Sequence, residues 1–297
     1  MPLGLSTLTL PAPLINEAVK NALLEDLGRA GDITTLATIP EEARAEAVIR
    51  ARHQGVVAGM EFVRSSFSQT GPGVTIDFKM NDGAVIQPND IFAVIRGPAQ
   101  IILSAERVAL NYLGHLSGIA TATAKFVDRI KGTHARITCT RKTTPGLRLL
   151  EKKAVIHGGG INHRMDLASG MLIKENHIEG SGSISDAIHA CFQYNRDVWV
   201  EVECETQDEV KEAVQVCPDI ILLDNMTPEQ VRLCRQLVPD SILLEASGNI
   251  TLDNARLYAE TGVNRIAIGA ITHSATALDL SMLVQAIPMN SAANDDS

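Results

Sequence analysis

The run Trp199-Val200-Glu201-Val202-Glu203 decides how this chain folds. It alternates at period two, which puts both glutamates on one face of a strand and the valines on the other. Two further apolar runs, 220–224 and 242–245, repeat the theme, and Glu203, Asp224 and Glu245 fall 21 residues apart. Helical patterning fills the intervals at 207–216 and 228–238. Thr206, Thr227 and Thr251 stand where N-caps belong, and Glu209 completes a capping box at Thr206. Working outward, 137–141, 171–174 and 265–268 read as further short buried strands, with helical windows at 185–194 and 252–260. Strands alternating with helices predict parallel strands joined by crossover helices. A barrel of this kind gathers its chemistry at the C-terminal ends of its strands. Three carboxylates in register there read as functional, with the valines toward the helices and the carboxylates toward the barrel axis. An open doubly wound sheet is the alternative, but no Gly-rich dinucleotide fingerprint follows any strand.

The first third reads differently. Residues 14–27 predict an amphipathic helix stopped by Gly28. Apolar runs such as Val74-Thr75-Ile76-Asp77-Phe78 and Ile91-Phe92-Ala93-Val94-Ile95 are joined by turn chemistry at Asn81-Asp82-Gly83 and Pro88-Asn89-Asp90. Short turns of this kind imply a mostly antiparallel sheet. Pro98 opens a helix to about Lys131, weakened by Gly114 and Gly118 and stopped by Gly132.

The chain has 297 residues, enough to bury a large core in one or two domains. It carries 26 Lys and Arg against 35 Asp and Glu, a net charge of −9. That balance argues against a generic nucleic-acid binder, and 3% aromatic residues argue against base-stacking platforms. No apolar run approaches the roughly 18 residues of a membrane span. The stretch from Met1 to Pro13 is uncharged and broken by prolines, unlike a secretory signal. Five scattered cysteines, Cys139, Cys191, Cys204, Cys217 and Cys234, read as reduced, mostly buried thiols rather than a zinc site. A cytoplasmic chain is expected.

Charge is unevenly spread. Residues 141–177 hold seven basic and three acidic residues, a net +4, while the remaining 19 basic and 32 acidic residues leave −13. A basic sector beside strand-end carboxylates can hold a polyanion and a divalent metal together. Lys152 and Lys153 read as part of a solvated helix face. Arg141, Arg164 and Lys174, at strand ends or in Gly-rich loops, read as functional. The glycines of Gly158-Gly159-Gly160-Ile161-Asn162-His163-Arg164 permit close approach to an anion, although no P-loop signature follows. His157 and His177 read as loop or core residues.

Together these strings resemble the quinolinate phosphoribosyltransferase family. The resemblance rests on Thr140-Arg141-Lys142-Thr143, Pro145-Gly146-Leu147-Arg148, Gly159-Gly160-Ile161-Asn162-His163-Arg164 and Leu172-Ile173-Lys174-Glu175-Asn176-His177. It extends to Glu25-Asp26, Gly31-Asp32-Ile33-Thr34-Thr35, Glu106-Arg107, Glu201-Val202-Glu203, Leu223-Asp224-Asn225, Ser247-Gly248-Asn249-Ile250 and Gly269-Ala270-Ile271-Thr272-His273. Only the first dozen and last ten residues lie outside it.

The resemblance implies an α/β protein of the type II phosphoribosyltransferase kind: an N-terminal α/β sandwich and an incomplete, seven-stranded α/β barrel. The sandwich is expected over 1–116, with 274–287 packing back onto it, the barrel over 117–273, and a disordered tail over 288–297. The family joins quinolinate to phosphoribosyl pyrophosphate with Mg²⁺, giving nicotinate mononucleotide, pyrophosphate and CO₂ in de novo NAD synthesis. It forms homodimers in which the sandwich of one subunit covers the barrel mouth of the other. Carried over, Arg107 from the partner subunit, Arg141, His163 and Arg164 hold the quinolinate carboxylates. Lys142 and Lys174 lie between the substrates' negative charges. Glu203 and Asp224 stand near the ribose hydroxyls and the metal, which they reach directly or through water. Ser247, Gly248, Gly269 and His273 bind the ribose phosphate, with Asn249 where many relatives have a second glycine. Competing readings are a nicotinate-type transferase on the same fold, a Schiff-base aldolase using Lys174, and a non-catalytic metabolite-binding protein.

Overall fold

The computed structural model describes residues 7–288. The tail expected beyond 288 and the first six residues of the N-terminal stretch lie outside the described residues. The described residues form two compact units: 8–122 with 275–288, and 123–274 with Thr7.

The N-terminal unit contains α1 (Ala12–Leu27), α2 (Ile33–Thr38), β1 (Arg44–Ala51), β2 (Gly55–Val56), α3 (Met60–Thr70), β3 (Thr75–Phe78), β4 (Val85–Ile86), β5 (Ile91–Pro98) and most of α4 (Ala99–Arg129). Its sheet has one further strand near the C-terminus, Leu280–Ile287, and runs from that strand through β1 and β5 to β3, all antiparallel. Alternate residues of β1 (Ala45, Ala47, Ile49 and Ala51) are buried against Phe67, Ile86, Phe92, Ile95 and Ile102. The glycines that weaken α4 as a helix have a packing purpose. A Cβ on Gly118 would stand 2.3 Å from the Thr276 carbonyl oxygen, and Leu278 N–H donates to the Gly114 carbonyl at 2.9 Å.

The C-terminal unit runs β6 (Arg136–Thr138), α5 (Arg148–His157), β7 (Met171–Ile173), α6 (Glu175–Ser181), α7 (Ile184–Tyr194), β8 (Val200–Cys204), α8 (Gln207–Val216), β9 (Ile220–Asp224), α9 (Pro228–Leu237), β10 (Leu243–Ser247), α10 (Ala255–Ala259), β11 (Arg265–Ala267) and α11 (Ala270–His273). The strand at Leu280–Ile287 is therefore β12. Six parallel strands pair in the order β6-β11-β10-β9-β8-β7. In place of a seventh strand, Ile161 makes a single parallel bridge to Thr138. The first and last of the six are thus not paired to each other, which leaves the barrel incomplete.

Thr206 and Thr227 cap α8 and α9 with full capping boxes, reciprocated by Glu209 and Gln230. Thr251 does not cap. Helix α10 starts later, after Asn254, whose side chain instead accepts from the Thr251 N–H at 2.7 Å. The three carboxylates are not level either. Glu203 and Glu245 both pair with Leu222, whereas Asp224 lies two residues further along, opposite Ser247. Equal spacing misled because the two connections differ: Glu201 pairs with Ile220 and Ile220 with Leu243, offsets of 19 and 23.

Candidate active site

At the C-terminal end of the parallel sheet, each side chain is placed by where its strand stops. Strand β6 ends at Thr138 rather than at Arg141, so Arg141 and Lys142 stand on the loop beyond it. Thr140 Oγ1 accepts from the Lys142 N–H at 3.0 Å and curls that loop. Arg141 is half-buried, and its Nε is buried without a hydrogen-bond partner. A buried guanidinium N–H left unsatisfied is a costly arrangement that an incoming carboxylate relieves.

His163 and Arg164 follow the turn after α5. The His163 ring is nearly buried, with Nε2 2.8 Å from Glu201 Oε2 and 3.7 Å from Glu245 Oε1. Its Nδ1 accepts the Arg164 N–H at 2.8 Å. Burial works against the imidazolium, but Glu201 and Glu245 outweigh it and raise the His163 pKa above its ordinary value. Protonation at Nδ1 then requires the Arg164 N–H to let go. Arg164 donates to the Gly170 carbonyl at 2.9 Å. Burial, and next the Arg141 guanidinium, lower its pKa, which marks the two arginines as electrostatic neighbours.

Lys174 caps α6, and its main-chain N–H donates to His177 Nδ1 at 3.0 Å. His177 is therefore neither a loop nor a core residue but a cap in the helix's first turn. Lys174 Nζ meets Glu203 Oε2 at 2.5 Å. Burial raises the Glu203 pKa, Lys174 opposes it, and Asp224 and Glu175 add to the rise. Asp224 ends β9 and accepts from the Asn225 side-chain amide at 2.6 Å. Asn225 has φ of 54°, its main-chain N–H reaches the Ser247 carbonyl at 3.0 Å, and its Oδ1 accepts from Asn249 at 3.0 Å. Gly248, at φ 90°, leaves room for this chain: a Cβ there would sit 2.2 Å from Asn225 Oδ1. Asn249 takes a left-handed φ of 52°, which asparagine tolerates. Gly269 matters for space, since a Cβ would come within 3.2 Å of Lys142 Cδ and 3.3 Å of the His273 ring. Thr272 Oγ1 donates to the Lys142 carbonyl at 2.7 Å, so α11 and the Lys142 loop form one wall. His273 lies beside it, Nδ1 2.6 Å from Ser274 Oγ. Arg107 is exposed on α4, in the N-terminal unit.

Several assignments change. Lys152 belongs to no solvated face: it is fully buried, while Lys153 is half-buried. Alternation along α5 cannot reveal this, because the acceptors that make burial tolerable come from another segment. Glycines 158–160 end α5 and pack closely, a Gly160 Cβ standing 2.8 Å from Val155 Cγ1, rather than forming an anion cradle. Glu245 is an interior residue, 0% exposed, with Arg265 Nε 2.9 Å from its Oε2. Sequence reading missed Arg265 and Trp199 altogether. The Trp199 ring packs edge-on to His163 at 5.5 Å between centroids, and a Cβ on Gly170 would strike it at 2.2 Å.

Two groups could hold a metal. His163, Glu201 and Glu245 bring their ligand atoms within 4.8 Å of one another. Arg265 already supplies a cation to that buried cluster. Glu203 and Asp224, at the mouth, offer hard carboxylate oxygens that repel each other and suit Mg²⁺. Among the described residues no helix is long and apolar enough to cross a membrane.

Known proteins resemble the chain over nearly its whole length. The C-terminal domain family of quinolinate phosphoribosyl transferase matches residues 119–283, and the N-terminal domain family matches 32–117. A probable carboxylating nicotinate-nucleotide pyrophosphorylase of Bacillus subtilis is 41% identical, covering 90% of this chain and 92% of that protein. The carboxylating enzyme of Mycobacterium leprae is 38% identical over 90% and 95%. The solved nicotinate-nucleotide pyrophosphorylase of Francisella tularensis superposes with a TM-score of 0.90 at 35% identity, covering 93% and 98%. Matches to both domains, at this identity and over this length, make the chain a member of the quinolinate phosphoribosyltransferase family.

Proposed function

We propose that the barrel mouth binds quinolinate and phosphoribosyl pyrophosphate side by side. It joins the pyridine nitrogen to the anomeric carbon and yields nicotinate mononucleotide, pyrophosphate and CO₂ for de novo NAD synthesis. The observation that carries this reading is the buried, unpartnered Arg141 Nε beside the Arg164 guanidinium, a pair of cations suited to a dianion.

Quinolinate attacks poorly unless its ring nitrogen is held in line with the anomeric carbon. Arg141, Arg164 and His163, with Arg107 from a second subunit of a homodimer, supply that hold on its two carboxylates. Lys142 and Lys174 lie between the negative charges of the two substrates. As the bond to pyrophosphate breaks, positive charge grows on the ribose ring and negative charge on the leaving group. Glu203 and Asp224 stabilise the first, and Lys142 the second. Ser247, Gly248, Gly269 and His273 take the ribose phosphate. Glu203 and Asp224 would hold Mg²⁺, directly or through water, and the ion would supply further neutralisation of the leaving group's charge. Once ribosylated, the ring is cationic and accepts the electron pair left when the adjacent carboxylate departs as CO₂; a proton then takes its place on carbon. No protein nucleophile or organic cofactor is required. A cytoplasmic location accords with five free cysteines.

A turnover assay tests this. Protein with phosphoribosyl pyrophosphate and Mg²⁺ is given quinolinate or nicotinate while pyrophosphate, CO₂ and mononucleotide are measured. Equal release of all three from quinolinate alone is expected. Turnover of nicotinate without CO₂ would overturn the substrate, and silence with both would overturn the reaction.

A further inference from the structure

Lys152 is 0% exposed on α5, and its Nζ donates to two consecutive main-chain carbonyls, those of His163 and Arg164, each at 2.9 Å. Burying an ammonium is expensive without an anion to offset it. The groups that act on it are the Cys139 thiol, which favours its charge, and the guanidinium groups of Arg148 and Arg141, which oppose it. Burial accordingly lowers the Lys152 pKa and raises that of Cys139. Such a cation is a poor choice for filling a core.

Its two acceptors explain it. Successive carbonyls of an extended chain point to opposite sides, so they converge on one ammonium only where the chain turns between them. That turn sends the His163 ring inward to Glu201 and the Arg164 guanidinium to the Gly170 carbonyl. The Arg164 N–H closes it from the other side by donating to His163 Nδ1.

We propose that Lys152 is a positioning residue for quinolinate: it fixes the main-chain turn at 163–164, so that the Arg164 guanidinium, backed by the inward-held His163 ring, meets a substrate carboxylate. Lys152 itself touches no substrate. The proposal rests on the function argued above and adds to it a residue outside the binding surface.

The test is Lys152→Met, close in shape but without charge or donors. Removing a poorly compensated buried charge leaves the unfolding midpoint at or above that of the unchanged protein. KM for quinolinate rises about tenfold or more, while kcat and KM for phosphoribosyl pyrophosphate stay within about twofold, because only ground-state positioning of one substrate is lost. Lys152→Gln, which keeps an N–H donor at shorter reach, recovers part of the quinolinate KM. If Lys152→Met does not fold, Lys152→Gln carries the same test against the unchanged protein. An unaltered quinolinate KM overturns the proposal, and so does a lowered midpoint with kcat and both KM values failing together. Unchanged protein that leaves quinolinate untouched would instead overturn the functional reading.

Discussion

Lys174 and Glu203 hold each other across neighbouring strands, Nζ to Oε2 at 2.5 Å. Burial pushes the Glu203 carboxyl up, Asp224 and Glu175 push the same way, and Lys174 is the neighbour that holds it down. Lys174→Met therefore raises the Glu203 pKa further. If catalysis needs the carboxylate, the acid limb of the kcat profile moves to higher pH in this variant, on a lowered plateau. Glu203→Gln removes the limb. A limb that stays put in Lys174→Met assigns the titration to another group.

The buried cluster makes a stability prediction. Burial, and then Glu201, raise the Glu245 pKa from 4.5 to about 7, against the opposing pull of His163 and Arg265. A carboxyl with a raised folded-state pKa keeps a proton that the unfolded chain has released. Its contribution is complete below pH 4.5 and is lost as pH rises through about 7. His163, also raised, adds to the same slope. Glu245→Gln cannot titrate, so relative to the unchanged protein it gains up to about 3 kcal/mol between pH 5 and pH 8. Urea unfolding at the two pH values measures it. Parallel changes in both proteins would mean that Glu245 is ionised throughout, paired with Arg265.

Gly248→Ala tests the ribose-phosphate loop. The new Cβ at φ 90° would stand 2.2 Å from Asn225 Oδ1, so Asn225 must swing away and release Asp224 and Asn249. The strained backbone costs on the order of 1–3 kcal/mol. KM for phosphoribosyl pyrophosphate rises, while quinolinate binding, measured alone by calorimetry, is unchanged. Equal damage to both would show that the loop supports the whole mouth.

These consequences were unequally legible in the sequence. Periodicity and capping residues located β8, β9, α8 and α9 almost to the residue, because alternation and Thr caps are local signals. Strand register was not legible, since loop lengths of unequal size can average to one spacing, as between Glu203, Asp224 and Glu245. The basic candidates stood out as charge beside glycine and strand ends. Lys152, Arg265 and Trp199 did not, because each owes its place to a partner far along the chain: the 163–164 carbonyls, Glu245, and Gly170.

Trp199 is the only tryptophan in the chain and lies edge-on to His163. Quinolinate entering beside His163 therefore changes its emission, and the titration gives a dissociation constant without turnover. Arg141→Ala weakens that constant by roughly 2–4 kcal/mol, because a desolvated carboxylate loses a charged partner. Emission that responds equally in Arg141→Ala would remove Arg141 from the quinolinate site.

Arg107 calls for a different experiment, because it belongs to the N-terminal unit while Lys174 belongs to the C-terminal one. In the proposed homodimer each mouth combines the barrel of one subunit with Arg107 of the other. Arg107→Ala and Lys174→Ala are each nearly inactive alone. In a mixed dimer, the barrel of the Arg107→Ala subunit keeps its lysine and receives an intact arginine from its partner; the second mouth has neither. Random pairing of equal amounts makes half the dimers mixed, and each restores one mouth of two. Co-expression then yields about a quarter of the unchanged activity. No recovery, with mixed dimers demonstrated by differential tagging, would place Arg107 in its own subunit's site or in none.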